Sequence, residues 1–188
     1  MPVPRLVLIP GSSSWSSVTD EALKDLLQEI QFAGDELRPG YLSAGPAFLD
    51  YLSFLGCAPT VVFEPPSEEA IGTGQFYHLR IVSPRSEAVF RSDSMTYKPK
   101  CPHCKTPLDD WRRWWGAGSC AAQVCPACGE DLTPQDINWR RRAGCGMVFI
   151  EILGIHAETV KPVARLFDDL EKHTGATWQY FFVEDDEA

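Results

Sequence analysis

The chain has no run of apolar residues close to the roughly 20 that a membrane helix needs, so its sequence predicts no membrane span. The apolar stretch in MPVPRLVLIPG is too short for a signal-peptide core and lacks the usual flanks, and a cytoplasmic protein is expected. Gly-x-Ser-x-Gly and His-Glu-x-x-His are both missing, and no nucleophile–base pair stands out. Any active site would have to be assembled from residues distant in sequence. The loop Gly11-Ser12-Ser13-Ser14 lacks the Walker lysine and the spaced glycines of nucleotide loops, and reads as a polar loop ahead of a helix cap. Gly72-Thr73-Gly74 reads as a turn. Positive charge is in deficit, with 17 Lys and Arg against 26 Asp and Glu and a net charge of −9. That balance repels nucleic acid and anionic membrane surfaces.

What is present fits an ordinary soluble domain: 188 residues, 44% apolar and 23% charged. Strands are expected at Arg5–Ile9, Thr60–Phe63, Phe76–Val82, Met147–Ile155 and Trp178–Val183, with a further one at Glu87–Arg91. Thr19 is placed to cap a helix that Gly34 ends, carrying Leu23, Leu26, Leu27 and Ile30 on one face. Helices are also expected over 46–55, closed by Gly56, and over 160–173, with Pro162 in the first turn and Gly175 as the stop. The tail from Glu184 to Glu187 reads as solvated. This order predicts an α+β domain, a ferredoxin-like sheet with helices on one face. Residues 1–95 and 146–188 would form that domain and 96–145 an inserted module.

The insert carries the sharpest signal. Cys101-Pro-His-Cys104-Lys and Cys125-Pro-Ala-Cys128-Gly are two Cys-x-x-Cys pairs about twenty residues apart. Each pair can form a knuckle in which two thiolates leave one turn, and Lys105 or Gly129 tolerates the unusual backbone that follows. Two knuckles supply four sulfurs to one tetrahedral zinc ion, with no position open for water, so the ion should be structural. The segment resembles the zinc-ribbon family over residues 101–128, which implies a metal and a local fold but no activity. Cys120, five residues before Cys125, is an alternative ligand, and His103 is expected to lie exposed within its knuckle. Cys57 and Cys145 read as core residues. An odd total of seven cysteines, four of them paired this way, favours metal-bound thiolates in a reducing compartment over a disulfide framework.

Charge is unevenly spread. Residues 96–146 carry eight basic and five acidic side chains, a balance of +3, and the rest of the chain carries −12. Trp111, Arg112, Arg113, Trp114, Trp115, Trp139, Arg140, Arg141 and Arg142 lie in this basic segment. They are candidates for partner binding, since arginine pairs with phosphate and aromatic rings stack on bases. The competing reading is packing, with Trp111, Trp114 and Trp115 at helical spacing docking the module onto the main sheet. His78 and His156 read as hydrogen-bonded structural histidines, and Glu151 as a solvent-facing residue by strand alternation. The function expected first is a non-enzymatic, zinc-braced protein that binds another protein, an inhibitor or immunity role being one form. The alternatives are nucleic-acid binding by the module and an enzyme with an unrecognised site.

Overall fold

All six residues of the first strand, β1 (Arg5–Pro10), are buried, so this strand needs cover on both faces. The elements that provide it follow in order. They are α1 (Asp20–Glu29), β2 (Ala33–Arg38), β3 (Tyr41–Ala44), a 3-10 turn (Phe48–Tyr51), β4 (Leu52–Phe54), β5 (His78–Val82) and β6 (Val89–Ser92). Then come α2 (Trp111–Trp115), β7 (Gln123–Val124), β8 (Asp131–Leu132), β9 (Ala143–Gly146), β10 (Phe149–Leu153), β11 (Val160–Pro162), α3 (Ala164–Thr174) and β12 (Trp178–Val183). The structure is a computed structural model describing residues 3–55, 61–83 and 86–184.

Six strands form the main sheet in the order β12-β1-β10-β5-β3-β2, with every neighbouring pair antiparallel. The fold is therefore mixed α and β with a largely antiparallel sheet. On one face, Leu6, Leu8, Leu79, Ile150, Ile152 and Phe182 pack against Leu23, Leu26 and Leu27 of α1 and Leu166 and Leu170 of α3. The alternate residues Val7, Ile9, Phe149, Phe181 and Val183 form a second cluster on the other face, with Val89 of β6 against it. There the β6–β9 ribbon lies close, because Gly144 has no side chain: a Cβ at that position would sit 2.6 Å from Phe181 Cε1 and 2.8 Å from Ile9 Cδ1. A third cluster joins Phe90, Leu108, Trp111, Trp115, Leu132, Ile137 and Trp139 with Cys101, Cys125 and Cys145. The layers run helices, sheet, cysteine-bearing module.

Several expected elements differ. Residues 46–55 form a 3-10 turn and the short strand β4, not a helix, because Leu52–Phe54 pairs with β11 and makes a second small sheet. Helix α1 ends at Glu29, and Gln31, at φ 59°, takes the left-handed place expected of Gly34. Gly34 instead belongs to the β2–β3 hairpin, which sequence reading missed because β2 is a polar edge strand. The 160–173 helix starts only at Ala164; Pro162 lies in β11, and Gly175 closes the helix at φ 68° as expected. Val61–Phe63 form no strand. Gly56, Cys57, Thr60 and residues 185–187 lie outside the described residues.

Candidate metal centre

Each Cys-x-x-Cys pair sits in a turn with the same hydrogen bonds. Cys101 N–H donates to Thr106 O at 2.9 Å and Lys105 N–H to Cys101 O at 3.0 Å. In the second turn, Cys125 N–H donates to Glu130 O and Gly129 N–H to Cys125 O, both at 2.9 Å. Lys105 (φ 64°) and Gly129 (φ 77°) occupy equivalent left-handed positions, where glycine is free of strain and lysine is not. The β7–β8 pair and a single bridge between Lys100 and Pro107 extend the two turns into small hairpins.

These turns bring four sulfurs together. All four Sγ atoms lie within 4.8 Å of one another, with Cys101–Cys128 and Cys104–Cys125 each at 3.8 Å. A tetrahedron with bonds of about 2.3 Å has an edge of about 3.8 Å, so the cluster has the size of a four-thiolate metal site. Cys101 and Cys125 are buried, and Cys104 and Cys128 face outward. Their ionisation fits the same chemistry. The hydroxyl and N–H of Thr106 pull the Cys104 thiol down to about 6. The N–H groups of Cys128 and Ala127 lower Cys125. Cys128 is pushed up to about 12, because desolvation and the neighbouring sulfurs outweigh the Glu130 N–H that stabilises its thiolate. Four thiolates at this spacing repel one another without a cation, and a bound dication removes that resistance. The group could hold a metal ion and would leave it no open position for water.

No protein-family model, no curated protein and no solved structure matches the chain.

The other cysteines correct the sequence reading. Cys120 is not a fifth candidate ligand: it forms a disulfide with Cys145, which ties the segment between the knuckles to β9. Cys145 is therefore not a free core thiol, although it is buried. His103 is exposed, as expected.

The tryptophans and arginines separate by burial. Trp111, Trp115 and Trp139 are 3%, 0% and 6% exposed and cannot meet a partner. They pack around Phe90 inside the module, not onto the main sheet as the docking reading supposed. Trp115 Nε1–H donates to Ala121 O and Trp139 Nε1–H to Pro134 O, so their polar ends are satisfied. Trp114 is half-buried. Arg112 lies over the Trp111 ring and donates to Asp93 O and Ser94 O. Arg113, Arg140 and Arg141 are exposed, with Arg141 held over the Tyr180 ring. Arg142 is mostly buried near Glu158 and Glu184. Arg140 and Arg141 are consecutive left-handed residues, at φ 52° and 61°.

Two histidines and one glutamate remain. His78 is fully buried; its Nε2 accepts from Gly72 N–H, so Nδ1 carries the proton and donates to Phe76 O. His156 is exposed and contacts Glu184 at 3.1 Å. Glu151 does not face solvent: it is completely buried and bound by Arg80 and Arg91, with Arg5 Nε 3.8 Å away. Sequence reasoning missed this cluster. The available signal was a charged residue in the middle of each of two apolar strands, Arg80 in FYHLRIV and Glu151 in MVFIEILGI.

Proposed function

We propose that this is a cytoplasmic, non-enzymatic protein that binds a basic protein partner, with one structural zinc ion bracing its inserted module. The four-thiol cluster supports zinc, since a closed, all-sulfur tetrahedron suits this ion as a staple. The paired knuckles support the zinc-ribbon reading. A ferredoxin-like core is supported by strand order: β1, β5, β10 and β12, first to fourth among the long-range strands, lie fourth–first–third–second and antiparallel. The Cys120–Cys145 disulfide sets a condition on the cytoplasmic placement, because such a compartment keeps this pair reduced.

The observation that carries the binding reading is the separation of charge across the layers. The outer face of α1 presents Glu21, Asp25 and Glu29 one turn apart, and α3 adds Asp168 and Glu171, all exposed. Lys24 pairs with Glu21 at 2.7 Å and offsets part of this charge; a basic partner would offset the remainder. An inhibitor or immunity role against a basic enzyme or toxin fits this surface. The test is affinity capture from the native host with and without nuclease. A stoichiometric protein that survives nuclease and is released by salt supports the reading; a partner indifferent to salt contradicts it.

One observation favours the second reading, nucleic-acid binding. Tyr97, 52% exposed, lines a groove of about 260 Å³ beside Cys101 together with Lys98, Lys100, Lys105 and Arg140. Retention on single-stranded RNA that falls with salt and is lost in a Tyr97→Ala, Lys100→Ala double variant would support it.

A further inference from the structure

We propose that the cleft between the main sheet and the module is a binding site for a small phosphate monoester. The cleft holds about 520 Å³ and is lined on the sheet side by Arg5, Arg80 and Val183. On the module side it is lined by Val89, Phe90, Arg91 and the Gly116-Ala117-Gly118 turn. That volume is within the range of small-molecule sites.

Its chemistry comes from an imbalance around Glu151. Oε2 of this carboxylate accepts from Arg80 through Nε at 2.8 Å and lies 2.5 Å from Nη2, while Oε1 accepts from Arg91 Nη1. Arg80 and Arg91 are thus two cations that share one anion. A buried carboxylate needs compensation; Arg80 supplies it at Oε2 and Arg91 at Oε1, which leaves one positive charge in excess. Two guanidiniums held this close repel one another unless a second anion joins them.

The two arginines are built to receive one. Their side chains are 27% and 22% exposed, whereas Glu151 has no exposure, and both line the cleft. A guanidinium carries five N–H donors. Arg91 spends Nη1 on Glu151 and rests its flat face on the Phe149 ring at 4.2 Å. Arg80 is held by Glu151 and by a 3.3 Å bond to Tyr41 OH. Both side chains are thus fixed before a ligand arrives, which lowers the cost of binding. A phosphate monoester is a dianion near neutral pH, so it matches the charge better than a monocarboxylate. Val89, Phe90 and Val183 give an apolar wall for its organic part. Gly116, Ala117 and Gly118 carry almost no side chain to fill the space.

The experiment follows the backbone resonances of Gly116 and Gly118 and the Nε–H resonances of Arg80 and Arg91 during titration of metal-loaded protein. The probes are inorganic phosphate, phenyl phosphate and benzoate. Saturable shifts of these groups are expected, with phenyl phosphate tighter than phosphate and benzoate weakest. Arg91→Gln should weaken phenyl phosphate by about tenfold or more, the loss of a charged hydrogen bond. Ala117→Glu leaves the Glu151 cluster untouched but puts a carboxylate at the mouth, and should weaken it similarly without changing metal content or melting temperature. Glu151→Gln, if it folds, should tighten binding by removing the competing anion. Absence of saturable shifts at these groups, or equal affinity in wild type and Ala117→Glu, overturns the proposal.

Discussion

Two buried polar side chains on the module-facing side of the sheet have opposite requirements. Glu151 is bound by arginines, whereas burial holds His78 neutral. Burial, helped by the nearby charges of Arg38 and Arg80, pushes the His78 imidazole down to about 4, and the Phe76 carbonyl only partly opposes this. The unfolded chain takes up this proton near pH 6.5 and the folded chain only near pH 4, so between those values the unfolded state binds more protons. Stability should therefore be full above about pH 6.5 and fall by up to about 1.4 kcal/mol per pH unit on acidification towards pH 4. Urea unfolding of wild type and His78→Gln across this range should give a smaller slope for the variant; equal slopes would remove His78 as the cause. Gly144→Ala is expected to cost about 1–3 kcal/mol, since the new methyl must displace Phe181 and Ile9. At this scale the cysteine cluster was legible because each knuckle is local and its spacing is visible in the chain. Glu151 was misread because alternation assigns a residue to a face but cannot say that an insertion covers that face. His78 was read as structural, and its two backbone partners make it so.

The elements that sequence located best are those with a continuous apolar run. β1, β10 and β12 match their expected segments closely, being buried on both faces or nearly so. β2, β4 and β11 were missed since their pairing is non-local and their composition polar or short, and a helix was placed where the β4–β11 pair forms. In the module, two short hairpins and the five-residue α2 have too few residues to hold shape by themselves. Their core is the tryptophan cluster, with Cys101 and Cys125 among its members. Removing the metal with a chelator at neutral pH should thus expose Trp111, Trp115 and Trp139 and shift tryptophan emission to the red, while far-ultraviolet dichroism of the main sheet stays largely intact. Cys104→Ser should lower the bound metal well below one equivalent and produce the same emission without chelator. Full metal content in that variant would refute the ligand set. Cys120 and Cys145, 25 residues apart, make a second closure of the same module. Reducing them should cost about 2–4 kcal/mol of module stability.

For the molecule as a whole, the layered order sets an acidic helix layer against a module with a small basic excess, since exposed Asp109, Asp110, Glu130, Asp131 and Asp136 offset part of its positive charge. The helix layer points carboxylates outward, and the module carries Arg113, Arg140 and Arg141 on its surface. A net charge of −9 then conceals a charge separation across the protein. Such a field acts at long range on the rate of encounter more than on the lifetime of the complex. It is screened beyond about 8 Å at physiological ionic strength. If the proposed basic partner meets the helix layer, replacing Asp25 and Glu29 by lysine should slow association about tenfold or more at low salt and leave dissociation nearly unchanged. Arg140→Glu with Arg141→Glu, on the far side, should leave association unchanged or make it slightly faster, by adding negative charge. Stopped-flow association with the captured partner across a range of ionic strength separates these outcomes. If the arginine variants are the ones that slow association, the partner is acidic, the contact lies on the module, and the left-handed pair at Arg140 and Arg141 is its centre. If both sets slow it equally, the charge separation does not steer the encounter, and contact must be sought at the apolar residues that remain exposed, Leu49, Leu55 and Met95 among them.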